Sequence, residues 1–371
     1  MKKILFSLMI FFILHTNSFS NHSEISSPIN PFCKNNISQK NLKELDKLRI
    51  EKIEIDITKY RKWTVNGIRI ITYNFRFIPD KYKKRFKAKI LVTYENNIQC
   101  IHNGSVRHSG DAKDHIRFIG NSIIQSLDVH LRNGHIRGVT KFKLYIPGVR
   151  GVTEDEIILT EILRHFDYIS PRTINVNARV NQTEMKMLFQ EKASKELLEY
   201  NNRREGPILE ADQKFFFKLV KDIPDNQLSG WSAGIPTFRN ISVKTMLAKQ
   251  TNPNIIYKSK NHKKMSYNAL TNLNLIYLYY SNRLKDQKNN FYFFDYDLDN
   301  NLLGFFNPEN VSKLDIYNLF MQATNSQHSL SANNRKFYWN SIENYFEPIN
   351  YDSNPDINAT NPTTTTVNIR L

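Results

Sequence analysis

The stretch from His328 to Asp352, HSLSANNRKFYWNSIENYFEPINYD, places a His, then Asn334, then an Asp 18 residues beyond that Asn. Phe337 to Trp339 and Tyr345 to Phe346 read as two strands that hold the intervening loop. His, Asn and Asp in that order match a base and two metal ligands in phosphoryl transfer. An Asn amide and an Asp carboxylate are the hard oxygen donors that a phosphate-bridging cation needs. The plainer reading is an aromatic hairpin with incidental polar residues.

A second polar cluster lies far upstream at His102 to His115, HNGSVRHSGDAKDH. Its glycines permit tight turns and close backbone approach to a ligand, and Arg107 and Lys113 could hold phosphate oxygens. It also reads as a polar surface hairpin, or as a zinc site built from His102, His108 and His115. Two such clusters suggest two walls of one cleft. Lys141 and Lys143 alternate with Phe142 and Leu144, so both lysines face one side of a strand. Glu154, Glu156 and Glu161, on the helix predicted next, are candidate partners for a strand lysine that orients nucleotide phosphates. Gln190-Glu191-Lys192 ends an apolar strand and offers an edge against which a flat base could lie. Asp295, Asp297 and Asp299 alternate as in calcium loops, but the glycine and terminal Glu of an EF-hand are absent, which favours a turn.

Lys2 and Lys3, an apolar run from Ile4 to Leu14 and the small-x-small Ser18-Phe19-Ser20 predict a secretory signal peptide over 1–20. The run is shorter than the roughly 20 residues needed to cross a bilayer. No later segment is long and apolar enough, so no transmembrane span is expected after signal removal; an uncleaved anchor is the alternative. A secreted or periplasmic protein is the expectation. There Cys33 and Cys100 could form one disulfide, although sequence alone does not pair them. Lys and Arg number 52 against 35 Asp and Glu, a net charge of +17. That favours anionic partners such as nucleotide phosphates, acidic glycans or anionic membrane. No nucleic-acid recognition motif accompanies the charge.

Along the chain, 21–45 reads as a mobile leader. Gly67 to Phe77, Ala88 to Tyr94, Gln125 to Leu131 and Lys141 to Ile146 read as strands of an antiparallel sheet. Thr153 to Phe166 reads as a helix, with Thr153 as cap and Glu156 completing a capping box. The strands Thr173 to Val180 and Glu184 to Gln190 join through a turn at Asn181. Helical periodicity then marks Ala193 to Arg204, Tyr267 to Leu284 and Ser312 to Ala323, with a hairpin or loop over Asn290 to Phe306. The division is a β-rich lobe over 46–192, a mainly helical lobe over 193–357 and a disordered tail over 358–371.

The order of Arg107 with Ser109-Gly110, Lys113, the 141–146 strand, the 153–166 helix, ISPRTINVNARVNQ, MLFQEK and NRKFYWN…FEPINYD resembles the spore-coat CotH kinase family of atypical protein kinases. The resemblance spans roughly 100–355. It implies an α+β, two-lobed protein-kinase-like fold with an antiparallel β-rich N-terminal lobe carrying one helix. It also implies a phosphotransferase using ATP with Mg²⁺ or Mn²⁺ on a protein or glycan hydroxyl at the cell surface. On this reading Arg107, Lys113, Lys141 and Glu161 hold and orient the nucleotide, and Glu191 lies near adenine. Asn334 and Asp352 bind the metal, and His328 with Lys113 serves catalysis. Two positions depart from the family: Ser329 stands where its catalytic Asp would be, and Asn354 replaces the second Asp of its late D-x-D. A catalytically silent envelope protein of the same fold, binding a glycan or protein partner, and a zinc hydrolase at His102 to His115 are the alternatives.

Overall fold

Seven strands close into a barrel in the order Ile50–Ile57, Phe86–Tyr94, Gln99–His108, Leu127–Leu131, Lys141–Tyr145, Thr183–Glu191, Thr173–Val180. The structure is a computed structural model that describes residues 31–33, 38–74, 77–120, 122–214, 247–286, 298–332 and 334–359. The expected signal peptide, most of the expected leader, Asp295, Asp297 and the end of the tail lie outside the described residues.

The strands are β1 (Ile50–Ile57), β2 (Phe86–Tyr94), β3 (Gln99–His108), β6 (Leu127–Leu131), β7 (Lys141–Tyr145), β8 (Thr173–Val180) and β9 (Thr183–Glu191). A hairpin of β4 (Ile116–Ile119) and β5 (Ser122–Gln125) stands apart. Alternate residues point inward, as the two-residue repeat of a strand requires. Ile53, Ile55, Ile90, Val92, Val129, Phe142, Leu144, Val176 and Phe189 thereby form one buried core. Neighbouring strands run antiparallel except at the closure, where Lys52 to Ile55 pair in parallel with Asn177 to Val180. Cys33 and Cys100 form a disulfide that ties the N-terminal segment to β3.

Three helices accompany the barrel: α1 (Gln39–Lys47), α2 (Tyr60–Thr72) and α3 (Thr153–His165). Ser38 caps α1 by accepting from the Asn41 N–H. The expected strand at Gly67 to Phe77 is instead helix through Thr72. Its β-branched residues suggested a two-residue repeat, but Trp63, Gly67 and Ile70 are buried at helical spacing. The α3 boundaries match expectation, although Val152 rather than Thr153 is the N-cap and makes no side-chain cap bond. Leu159 and Leu163 of α3 pack on Tyr317, Met321 and Leu330.

The C-terminal half adds α4 (Lys195–Tyr200), β10 (Ile208–Ala211), β11 (Ala248–Gln250), α5 (Lys260–Asp286), α6 (Asn300–Leu303), α7 (Pro308–Ala323), β12 (Lys336–Asn340) and β13 (Tyr345–Ile349). Its strands form a sheet ordered β11, β10, β12, β13. Phe337, Trp339 and Phe346 from this sheet pack with Leu273, Tyr277 and Leu314 from α5 and α7. Asp299 caps α6 by accepting from the Asn301 N–H.

The α+β class stands, but the two-lobed kinase-like fold does not. The closed barrel overturns it, because the expected N-terminal lobe is an open antiparallel sheet. Closure depends on pairing Lys52 with Asn177, and no local pattern marks a partner that distant. The C-terminal sheet docks onto the barrel side through the parallel bridge of Ile169 with Ile349 and the Asn350 N–H bond to the Ile169 carbonyl at 2.9 Å. Arg203 also joins the two, donating to Glu347 at 2.8 Å and to Asp167 at 2.6 Å. No helix among the described residues is long and apolar enough to cross a membrane.

Candidate active site

The residues after β7 and β13 meet where the barrel carries the C-terminal sheet. Gly151, in the turn before α3, has φ +56, and a Cβ there would lie 2.8 Å from the Pro355 carbonyl oxygen. Only glycine allows these two segments to approach so closely. Asp155 of α3 accepts from the Ile357 N–H at 2.9 Å, fixing the same junction.

Tyr351 lies at the centre. Lys143 of β7 donates to its hydroxyl at 2.6 Å. Lys336 of β12 lies 4.1 Å from its ring centroid, and the Arg150 guanidinium carbon 5.3 Å. Burial alone would raise the Tyr351 phenol, but Lys143, Lys336 and Arg150 outweigh it and bring the group down to about 6. Burial likewise opposes the charge on Lys143, yet Tyr145 and Tyr351 hold its ammonium above the ordinary lysine range. Arg150 donates to the Tyr145 hydroxyl at 2.6 Å and pairs with Asp352, and Lys336 pairs with Glu210. Lys143 pairs with no carboxylate among the described residues. Three cations thus meet two paired carboxylates and a phenol able to supply the missing negative charge. Glu156 of α3 is buried beside them and accepts from Gln190 at 2.8 Å. Burial pushes its carboxyl up, against the pull of Arg150.

Three of the residues expected from sequence gather at this cleft. The Asn334 amide nitrogen lies 3.0 Å from His328 Nε2, and Asp352 Oδ2 lies 3.9 Å from the same nitrogen. His328 is about half exposed, and partial burial together with Arg150 holds its imidazole below the ordinary range, which favours the neutral ring a base requires. Asp352 has φ +57, in a region that side chains other than Asn and Asp seldom occupy. Asn334 and Asp352 suit Mg²⁺ or Mn²⁺ in kind, because such an ion is commonly held by one or two protein oxygens with phosphates and waters. Arg150 would have to exchange Asp352 for a ligand anion first. Among the described residues, no group of three or more His, Cys, Asp or Glu is gathered to hold a metal.

The other expected residues lie elsewhere. Lys113 donates to the carbonyls of Ile71, at 3.1 Å, and Tyr73, completing the C-terminal end of α2. Arg107 donates to Asp128 of β6 through Nε and Nη2 at 3.1 and 3.0 Å. Lys141 is exposed, and Glu161 pairs with Arg164 on its own helix. Glu191 is buried in a two-point pair with Arg172 at 2.7 and 2.9 Å. His102, His108 and His115 are pushed down to about 4, 4 and 3 by burial, so all three rings are neutral near pH 7.

Arg150, Lys336 and Tyr351 escaped the sequence reading, which also favoured Lys141 over Lys143. Tyr351 had a signal, since it adjoins Asp352, and Lys143 shares a strand face with Lys141. Arg150 sits in a turn between two glycines, and nothing local marks its role. Compared with known proteins, the chain matches no family model and no curated protein.

Proposed function

We propose that this cleft binds the phosphate chain of a nucleotide and supports phosphoryl transfer to a hydroxyl of a surface protein or glycan. The observation that carries the reading is the partly buried cluster of Lys143, Lys336 and Arg150 around Tyr351, beside the contact of His328 with Asn334 and Asp352. A phosphate would take the place of the phenolate charge, and the cations would neutralise charge that develops on the transferring group. An incoming phosphate would compete for Arg150 and release Asp352. Asn334 and Asp352 would then hold Mg²⁺ or Mn²⁺, which would neutralise phosphate charge. His328 would accept the hydroxyl proton. The Cys33–Cys100 disulfide supports an oxidising compartment, as a secreted protein requires.

Calorimetric titration of ATP, with and without Mn²⁺, tests this reading. Metal-dependent binding in the wild type and its loss in folded Asp352→Asn is the expected result. Equal binding by both proteins, or no binding by folded wild type, would refute it.

A second reading is a silent binding protein for an acidic surface glycan. Ser329, at the position of the usual catalytic Asp, is buried and donates to the Ser326 carbonyl at 3.0 Å, so its hydroxyl is already engaged. This reading expects salt-sensitive glycan binding that survives Asn334→Ala and Asp352→Ala.

A further inference from the structure

Asp128 collects an unusual number of cations at the rim of the barrel. It faces Arg107 directly across the β3–β6 ladder. Arg85, just before β2, donates to Asp128 Oδ1 at 2.8 Å, and Lys192, just after β9, donates to Oδ2 at 2.9 Å. Arg107 shares that oxygen. His130 Nε2 lies 2.8 Å from Arg85 and 3.3 Å from Lys192. The same nitrogen lies 3.1 Å from Asp128 Oδ1, so the ring belongs to the cluster. Burial together with Lys192 and Arg85 lowers His130, against the pull of Asp128.

The charge does not balance. Arg85, Arg107 and Lys192 carry three positive charges against one carboxylate, and no second carboxylate pairs with them among the described residues. Asp128 is almost fully enclosed, with its side chain 1 % exposed, whereas Arg85, Arg107 and Lys192 are 30, 37 and 25 % exposed. The buried carboxylate therefore acts as a hub that holds the cations in place while their outer surfaces face solvent. Arg107 spends two kinds of N–H on Asp128, and a guanidinium has five donors. Two uncompensated positive charges in a fixed geometry suit a doubly charged tetrahedral oxyanion.

We propose that Arg85, Arg107 and Lys192, organised by Asp128, form a second anion site that takes a phosphate group. It borders the Tyr351 cleft, because Asp128 stands opposite Lys143 in the β6–β7 ladder, but it does not depend on the nucleotide reading. The phosphate could be free or carried by a phosphorylated acceptor, and the chemistry of capture is the same.

The test is calorimetric titration of inorganic phosphate into the purified chain and its Arg107→Gln, Arg85→Gln and Lys313→Met variants. Weakening by roughly tenfold or more in each arginine variant, with Lys313→Met of α7 unchanged, is expected for loss of one charge-assisted contact. Phosphate binding kept at full strength in both arginine variants would place the ion elsewhere and overturn the proposal. Absence of binding at millimolar phosphate would overturn it as well. If an arginine variant fails to fold, the His130 imidazole resonances of wild type supply the readout. They should shift on phosphate addition, and unmoved resonances at saturating phosphate would reject the site. Adding a phosphopeptide or a phosphorylated sugar separates the sources: competition with bound phosphate marks a phosphorylated acceptor, and its absence marks free phosphate, either outcome requiring intact Arg107.

Discussion

Gln190 and Glu191 are neighbours on β9, yet they lead into two different kinds of polar interior. Glu191 turns toward Arg172, which meets it through two hydrogen bonds, one charge against one, and the carboxylate is sealed from solvent. Gln190, opposite Lys143 in the β7–β9 ladder, belongs to the other side of the sheet, where cations crowd around Tyr351. The first arrangement is complete in itself. The second is not, because Lys143 leans on a phenol where a carboxylate would balance it. A matched buried pair holds a fold together, whereas an unmatched cluster is costly to bury and is a candidate for binding an outside charge.

The largest expected effect breaks the matched side. Glu191→Ala should destabilise the protein by roughly 3–5 kcal/mol, because Arg172 is left buried without its counter-charge. Urea or thermal melts read this directly, and a loss below about 1 kcal/mol would erase the distinction between the two sites.

Lys143→Met sharpens the unmatched side. It should weaken nucleotide binding by roughly tenfold or more, the worth of a charge-assisted hydrogen bond, while costing less stability than Glu191→Ala because it relieves repulsion with Arg150 and Lys336. A Lys143→Met protein as unstable as Glu191→Ala, with unchanged nucleotide affinity, would make Lys143 structural.

The charge on Tyr351 gives a pH test. Its native value, about 6, lies below the ordinary phenol value of about 10 in an unfolded chain. The stabilisation from this group is therefore fully present above about pH 10, shrinks as pH falls, and is gone below about pH 6. Wild type measured against Tyr351→Phe should accordingly gain stability progressively from pH 6 to 10. A flat difference over that range would mean that the phenol stays protonated.

The smallest stability effect is expected for Arg107→Gln. Asp128 keeps Arg85 and Lys192, and Arg107 is more than a third exposed, so the change should be under about 1 kcal/mol. A much larger loss would mark the Asp128 hub as structural in the way that the Arg172–Glu191 pair is.

Much of the cleft was legible along the chain. His328, Asn334 and Asp352 stand within one stretch, and the short β-hairpin of β12 and β13 brings its ends together by local geometry. The strands β8 and β9 and the helices α3, α5 and α7 followed from periodicity for the same reason. Lys113, Lys141, Glu161 and Glu191 gather no single site. Residue type announced charge, but the partner that satisfies it is chosen by the fold. Lys113 ends a helix that the sequence reading took for a strand, and Glu191 meets an arginine brought in from the start of β8.

The sequence by itself determined the mixed α+β content, the cationic balance and the polar triad at the end of the chain, because each rests on local spacing or composition. Only the tertiary structure decided that the N-terminal strands close into a barrel and that Lys143, Arg150, Lys336 and Tyr351 share one cleft. Barrel closure and that convergence both require contacts between residues more than a hundred positions apart. Such contacts are selected by the burial and charge balance of the whole chain, which a local pattern does not encode.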